Sequence, residues 1–196
     1  MSKRIAVTGG IGSGKSSVMD ALRDMGYPVF SCDEIYADMV NSADYLNELS
    51  KIFPKAVKDN RLDKKQLSQI VFNNPEALQR LNAISHPMIM QKLNERMNAC
   101  SAPLVFAEVP LLFENGFEKD FDSVIVVLRD INNRITAVCN RDGLTKEQTI
   151  SRINAQFDYD CLDNQKYLQS INAHIIQNDG EKSALIQKVS DIVKSL

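Results

Sequence analysis

Gly9-Gly10-Ile11-Gly12-Ser13-Gly14-Lys15-Ser16 fits the pattern G-x-x-x-x-G-K-[ST] at every fixed position. An apolar run, Ile5-Ala6-Val7, sits just before it inside a strand read over Lys3–Thr8. A helical segment, Ser17–Met25, follows with Val18, Leu22 and Met25 on one face. A strand that enters a glycine turn and opens a helix is the setting in which backbone N–H groups converge on phosphate oxygens. Residues Gly10, Ile11, Gly12, Ser13, Gly14, Lys15, Ser16 and Ser17 are therefore assigned to a nucleotide triphosphate. In that arrangement Lys15 reaches the β- and γ-phosphates and the Ser16 hydroxyl ligates Mg²⁺. Glycine-rich turns without a ligand also occur, but the Lys-Ser pair at this spacing weighs against that alternative.

Working outward, Gly26 stops the helix and Tyr27–Ser31 reads as a second strand, a βαβ-type opening of an α/β fold with Asp33 just past its end. From Glu34 to Cys100 the pattern turns helical (Leu46, Leu49, Phe53; Leu67, Ile70, Val71; Leu78, Leu81, Ile84), with breaks at Pro54 and Asn73-Asn74-Pro75. His86-Pro87 is expected to interrupt a further helical stretch, because proline lacks an N–H and restricts the residue before it. No buried strand is read there, so the segment suits a substrate-binding subdomain. Pro103–Val109 and Asp122–Leu128 are the third and fourth strands. Asn132–Cys139 and Lys146–Phe157 read as two helices around Arg141, the second capped by Thr145 with Gln148 completing a capping box. The pair resembles a lid. A fifth strand, Ala173–Gln177, leads through Asn178-Asp179-Gly180 into a closing helix, Lys182–Leu196.

The 196 residues carry a formal charge of −2 with acids and bases interspersed, so there is no basic field to draw nucleic acid and small molecules are the expected partners. The four cysteines are widely spaced, which argues against a zinc site or a disulfide framework and fits a reducing cytoplasm. No apolar run approaches the roughly 20 residues needed to span a bilayer, so no membrane partner is expected. Lys3-Arg4 leads straight into a strand rather than a signal peptide.

Five landmarks recur in order beside the phosphate loop: Asp33; Leu81-Asn82-Ala83-Ile84-Ser85-His86-Pro87-Met88-Ile89; Val109-Pro110-Leu111-Leu112-Phe113-Glu114-Asn115; Arg141-Asp142 with Arg152-Ile153-x-x-Gln156; and Asn178-x-Gly180. Through them the chain resembles the dephospho-CoA kinase family nearly end to end. The resemblance implies a P-loop NTPase fold, with a five-stranded parallel sheet flanked by helices, a helical substrate-binding insertion and a lid. It implies residues 1–32, 103–129 and 171–196 as nucleotide-binding core, 33–102 as acceptor-binding region and 130–170 as lid. The implied reaction transfers the γ-phosphoryl of ATP, with Mg²⁺, to the ribose 3'-hydroxyl of dephospho-CoA, the last step in making coenzyme A. Two departures are visible. The common D-A-D-x-x-A-R run reads Ser31-Cys32-Asp33-Glu34-Ile35-Tyr36-Ala37, keeping only the second aspartate and losing the arginine, and an arginine often found four residues before Arg141 is Ala137. Arg134, seven residues before Arg141, shares its helix face if that helix continues.

Phosphoryl transfer asks the protein for alignment and charge neutralisation. Lys15 and Arg141 are read as the catalytic cations, Arg141 offering fork-shaped donors as a lid closes, with a plain solvated surface arginine as the alternative. Asp33 at a strand's carboxyl end is read as accepting or orienting the acceptor hydroxyl, with helix capping as the alternative. Glu108 at the end of the third strand is a second Mg²⁺ candidate, or an ordinary acid at a strand end. His86, Leu111, Leu112, Glu114, Arg152 and Gln156 are candidates for the acceptor side. For His86 a shaping or contact role is favoured over base chemistry; the leucines alternatively serve as core, and Arg152 and Gln156 as a surface pair on one helix face. Asn178 and Gly180 border the adenine or form a plain turn. Two other functions compete: a P-loop kinase acting on a nucleoside, nucleoside monophosphate or other small hydroxylated metabolite, and a GTP-binding switch, against which stands the missing Asn-Lys-x-Asp run.

Overall fold

The structure is a computed structural model that describes residues 2–72 and 74–196. Met1 and Asn73, the latter part of the break read at Asn73-Asn74-Pro75, lie outside the described residues. A five-stranded sheet of order β2-β5-β1-β6-β7 is built from β1 (Lys3–Thr8), β2 (Val29–Ser31), β5 (Leu104–Glu108), β6 (Ser123–Leu128) and β7 (His174–Gln177). Pairing is parallel between β1 and β5 (Val7 opposite Glu108), β1 and β6 (Thr8 opposite Val126), and β6 and β7 (Leu128 opposite Gln177). Parallel strands buried on both faces read as unbroken apolar runs, which is why Ile5-Ala6-Val7 and Val124–Val127 are fully or almost fully buried.

The chain divides into two compact units: residues up to Val29 with Cys100–Leu196, and Phe30–Ala99. In the first, α1 (Lys15–Asp24) and α9 (Lys182–Ser195) pack together. Their apolar faces, Val18, Met19 and Leu22 from α1 and Leu185, Val189 and Val193 from α9, share one core with Ile5, Val7, Phe106, Ile125 and Val127. After β6 the chain forms α6 (Ile131–Asp142), α7 (Lys146–Asn154) and α8 (Leu162–Ser170). Both halves of the Thr145–Gln148 capping box are present, so α7 starts where its sequence says. It stops at Asn154, short of the expected Phe157. Helix α8 is additional to the expected elements: its Leu162 is 71% exposed and Leu168 is its one buried residue, so it has no apolar stripe to read.

The second unit is mainly helical. The long α5 (Pro75–Asn98) packs against α2 (Cys32–Met39), α3 (Ala43–Ile52) and α4 (Lys64–Val71). The expected interruption at His86-Pro87 does not occur, because α5 runs unbroken through Pro87. A proline inside a helix costs about 3 kcal/mol. Burial of Ala77, Ser85, Met90, Leu93 and Met97 along the same helix holds both sides of it in place. A two-residue-per-strand hairpin, β3 (Val57–Lys58) with β4 (Arg61–Leu62), also lies in this segment, turning at Asp59 and Asn60, which both have positive φ. Such short strands carry no period-two signal. No helix among the described residues is long and apolar enough to cross a membrane, and no disulfide joins the four cysteines.

Candidate active site

The phosphate loop joins β1 to α1, and local chemistry explains its shape. Gly14 is the N-cap of α1 at φ 95°, a left-handed conformation, and a Cβ there would run into the Asn178 side-chain amide. No side chain caps α1 and no acidic residue stands in its first turn; Ser42, Asp63, Asn74, Asp130 and Thr145 each cap their helices, while α2, α8 and α9 also start without a side-chain cap. The first N–H groups of α1 and the positive end of its dipole therefore remain available to an anion. Lys15 Nζ folds back onto the loop, donating to the Gly9 carbonyl at 2.8 Å and to that of Gly10 at 3.3 Å. Ser16 is exposed in the first turn of α1, and Ser17 N–H closes the turn onto Gly14 O at 3.0 Å.

Three distant segments grip this loop. Ile11 N–H donates to Gln156 Oε1 at 2.7 Å, Arg134 Nε donates to Ile11 O at 3.0 Å, and the Asn178 amide donates to Ser13 O at 2.8 Å. Gln156 follows the end of α7 and meets the loop itself, rather than sharing a helix face with Arg152, which is exposed. The Asn178 turn is anchored in turn. Asn178 N–H bonds Leu128 O at 2.9 Å, and Asp179 accepts from Asp130 N–H at 2.8 Å. The Asp179 carboxyl is held below the usual carboxylate range by the Gln177 amide first and the Asp130 N–H second. Gly180 has no crowded neighbour, so space does not require glycine there.

Residues missing from the sequence-derived set complete the surroundings. A cavity of about 210 Å³ is lined by Gly10, Ser13, Arg129, Arg134, Tyr159 and Asp160 together with the ends of β6 and β7. Burial pushes the Arg134 guanidinium's proton affinity down, while Asp160 and Tyr159 pull it back. Burial also raises the Tyr159 phenol; its hydroxyl lies beside Thr8 Oγ1 without closing a well-formed hydrogen bond. Tyr159 belongs to an aromatic cluster with Phe113 and Phe157, whose ring centroids are 4.7–6.3 Å apart. Glu114 Oε1 accepts from Phe157 N–H at 2.8 Å, so the Val109–Asn115 stretch and the chain after α7 are fastened together. Leu112 is fully buried and Leu111 partly so. The only sequence hint of this group was Arg134, through its spacing from Arg141.

Away from the loop, Arg141 stands in the last turn of α6 with its side chain 61% exposed and forks onto Asp142 at 2.7 and 2.9 Å, a pair that raises the arginine and lowers the aspartate. Helix α6 does span both Arg134 and Arg141, and it lies on the loop through Arg134 and Val138, both of which close on Gly12. Glu108 closes β5 in register with Val7, one strand over from the loop. In the second unit, Asp33 is exposed in the first turn of α2, whose N-cap is Ser31, so Asp33 is not the capping residue. His86 lies within α5.

The sequence profile of dephospho-CoA kinase matches residues 3–183. A dephospho-CoA kinase of Thermus thermophilus is 41% identical over 152 residues, covering 78% of this chain and 74% of its own. One from Fusobacterium nucleatum is 30% identical over 194 residues, covering 98% and 97%. The crystal structure of the Thermus thermophilus protein TT1252 superposes with a TM-score of 0.81 at 34% identity, covering 100% of this chain and 98% of that one. A strand-loop-helix cradle with cations around it is common to many phosphate-binding proteins, but a match of this extent is not: the chain belongs to the dephospho-CoA kinase family.

Proposed function

We propose that the protein transfers the γ-phosphoryl group of ATP to the ribose 3'-hydroxyl of dephospho-CoA, giving coenzyme A and ADP in the cytoplasm. The observation that carries the reading is the phosphate loop, with every fixed motif residue in place on an uncapped helix, within a chain matched to this family over residues 3–183. Lys15 and the loop N–H groups hold the β- and γ-phosphates, and Lys15 leaves the Gly9 and Gly10 carbonyls to do so. Arg141, at the exposed end of the α6–α7 lid, exchanges Asp142 for the polyphosphate. Asn178 and Gly180 border the adenine. The Ser16 hydroxyl and Glu108 carboxylate are the hard oxygen donors that Mg²⁺ prefers, so these residues would hold the ion that arrives with ATP. When bound, it neutralises charge on the β- and γ-oxygens.

Asp33, exposed in its helical first turn, takes or orients the proton of the 3'-hydroxyl. His86, Leu111, Leu112, Glu114, Arg152 and Gln156 serve the acceptor side, Glu114 and Gln156 through the backbone N–H groups they hold. The test is ADP release with a panel of acceptors, with the product identified by mass. Phosphorylation of dephospho-CoA at the 3' position is expected. Strong turnover of nucleoside monophosphates with none on dephospho-CoA would replace this reading with the alternative kinase.

A further inference from the structure

Arg134 belongs to none of the motifs that identify the family, yet it is 8% exposed and lies across the phosphate loop. Its Nε donates to Ile11 O at 3.0 Å, and its Cζ lies 2.7 Å from where a Cβ on Gly10 would stand. Its backbone carbonyl closes on Gly12 in the same way, at 2.7 Å. Gly10 has no positive φ. What a side chain there would displace is the guanidinium. The cavity that Arg134 lines holds two further atoms with unmet hydrogen-bonding capacity: Oγ of Ser13, which is 1% exposed, and the buried Nε of Arg129. Buried polar atoms are almost always paired, so a buried hydroxyl and a buried guanidinium N–H left unmatched at one cavity, beside the Arg134 guanidinium and with Asp130 and Asp160 also on its wall, point to a ligand that brings acceptor oxygens to complete them.

We propose that Arg134 is the fixed cation of the triphosphate site: its guanidinium shapes the loop through Ile11 and meets phosphate oxygens across the cavity it shares with Ser13 and Arg129. The assignment rests on reading the loop as a triphosphate site and is independent of the acceptor. Arg141 must give up Asp142 and order an exposed side chain before it reaches a phosphate. Arg134 is already ordered in a poorly solvated position, where a charge acts more strongly and little entropy is lost on binding.

Titration calorimetry with ADP and with inorganic tripolyphosphate on the full chain decides the matter, using R134Q, R134K, G10A and the G10A/R134Q double variant. Thermal midpoints of the unliganded proteins are recorded alongside. R134Q is expected to weaken both ligands about 10- to 100-fold, the range for hydrogen bonds to a charged group. R134K, which keeps the charge and loses the fork, should recover part of that loss. G10A leaves Arg134 in the chain but displaces its guanidinium, so it should weaken binding several-fold. The double variant should bind within about twofold of R134Q, because both changes act through one contact. Affinity of R134Q within about twofold of the parent overturns the proposal, as do G10A and R134Q effects that multiply. It also fails if R134Q and R134K lose affinity equally and only in step with a lowered midpoint, the mark of a brace without a charge role. If R134Q does not fold, G10A decides alone, and unchanged affinity in it refutes the assignment. These binding measurements hold whether or not dephospho-CoA is phosphorylated.

Discussion

Ser13 and Arg134, buried beside the phosphate loop, face a cavity, whereas Tyr45 and Ser85, buried in the helical unit, face each other. In the first, Ser13 and Arg134 are almost fully buried and both line the space beside the phosphate loop, with Ser13 Oγ unmatched. In the second, Tyr45 and Ser85 bond each other at 2.9 Å within a core of Met39, Leu49, Phe53, Leu67 and Ala77. Unmet polar groups cost stability and are kept where a ligand uses them; matched ones stabilise the fold and ask for nothing further. The contrast separates a cavity wall where substitutions strike chemistry from a helical core where, away from Asp33 and His86, they strike stability.

The sharpest test is Lys15→Ala. Removing the loop's cation should lower kcat by about 10⁴-fold, in line with cations that stabilise phosphoryl transfer. The thermal midpoint should stay within a few degrees, because the Lys15 side chain is only partly buried and water can replace its ammonium at the Gly9 and Gly10 carbonyls. Stopped-assay kinetics with a parallel melt measures both, and a large fall in midpoint with retained activity would invert the contrast. Asp33→Asn comes next, and it marks the exception in the helical unit. If Asp33 handles the acceptor proton, kcat should fall about 10³-fold, within the range for general acid–base catalysis, with ATP affinity unchanged. Stability should shift by under about 1 kcal/mol, the size of a first-turn charge effect. An unaltered kcat would remove Asp33 from the chemistry and leave it a structural residue of α2.

The same contrast governs what could be read before folding. The α/β class was legible because β1 and β6 carry apolar runs, Ile5-Ala6-Val7 and Val124–Leu128, and the glycine motif falls between a strand and a helix. Helix α8 and the β3–β4 hairpin were not: one has a single buried residue and the other has strands of two residues. Pro87 misled because the local cost of a proline is real, while the burial that offsets it comes from neighbouring helices far along the chain. At the site, Gln156 and Asn178 stand out in the sequence as motif members. That they bond Ile11 N–H and Ser13 C=O emerges only when segments 145 and 165 residues away return to the loop. Arg129, Tyr159 and Asp160 carry no motif at all. Tertiary contact alone puts them beside the loop.

Within the helical core, Leu49→Ala should act on stability alone. Leu49 is fully buried, and truncating such a leucine costs about 3 kcal/mol through lost burial and the cavity left behind. Denaturant unfolding should report that loss, while kcat of the folded protein stays within about twofold of the parent. A variant that unfolds normally but loses turnover would show that the helical core is tuned for chemistry as well as packing.

Tyr45→Phe is the finest probe, because it changes one oxygen in a chain of hydroxyls. Tyr45 bonds Ser85 at 2.9 Å and also pairs with Tyr36, whose ring meets its own edge to face at 5.9 Å between centroids. Removing the hydroxyl leaves Ser85 Oγ without that partner in a buried position, which should cost about 1–2 kcal/mol. The pH dependence carries a second signature. Burial first, and then the hydrogen bond and charge of Tyr45, raise the Tyr36 phenol above its ordinary value of 10.0. The folded chain therefore holds that proton more tightly than the unfolded chain. The stabilisation is complete below the ordinary tyrosine range and is lost as pH climbs above it towards the raised value. Tyr45→Phe removes the two lesser causes and leaves burial in place, so its stability should fall less steeply with pH above 10 than that of the parent. Equal slopes, measured by denaturant unfolding across that range, would mean that the Tyr36–Tyr45 pairing contributes nothing and that burial alone holds the proton.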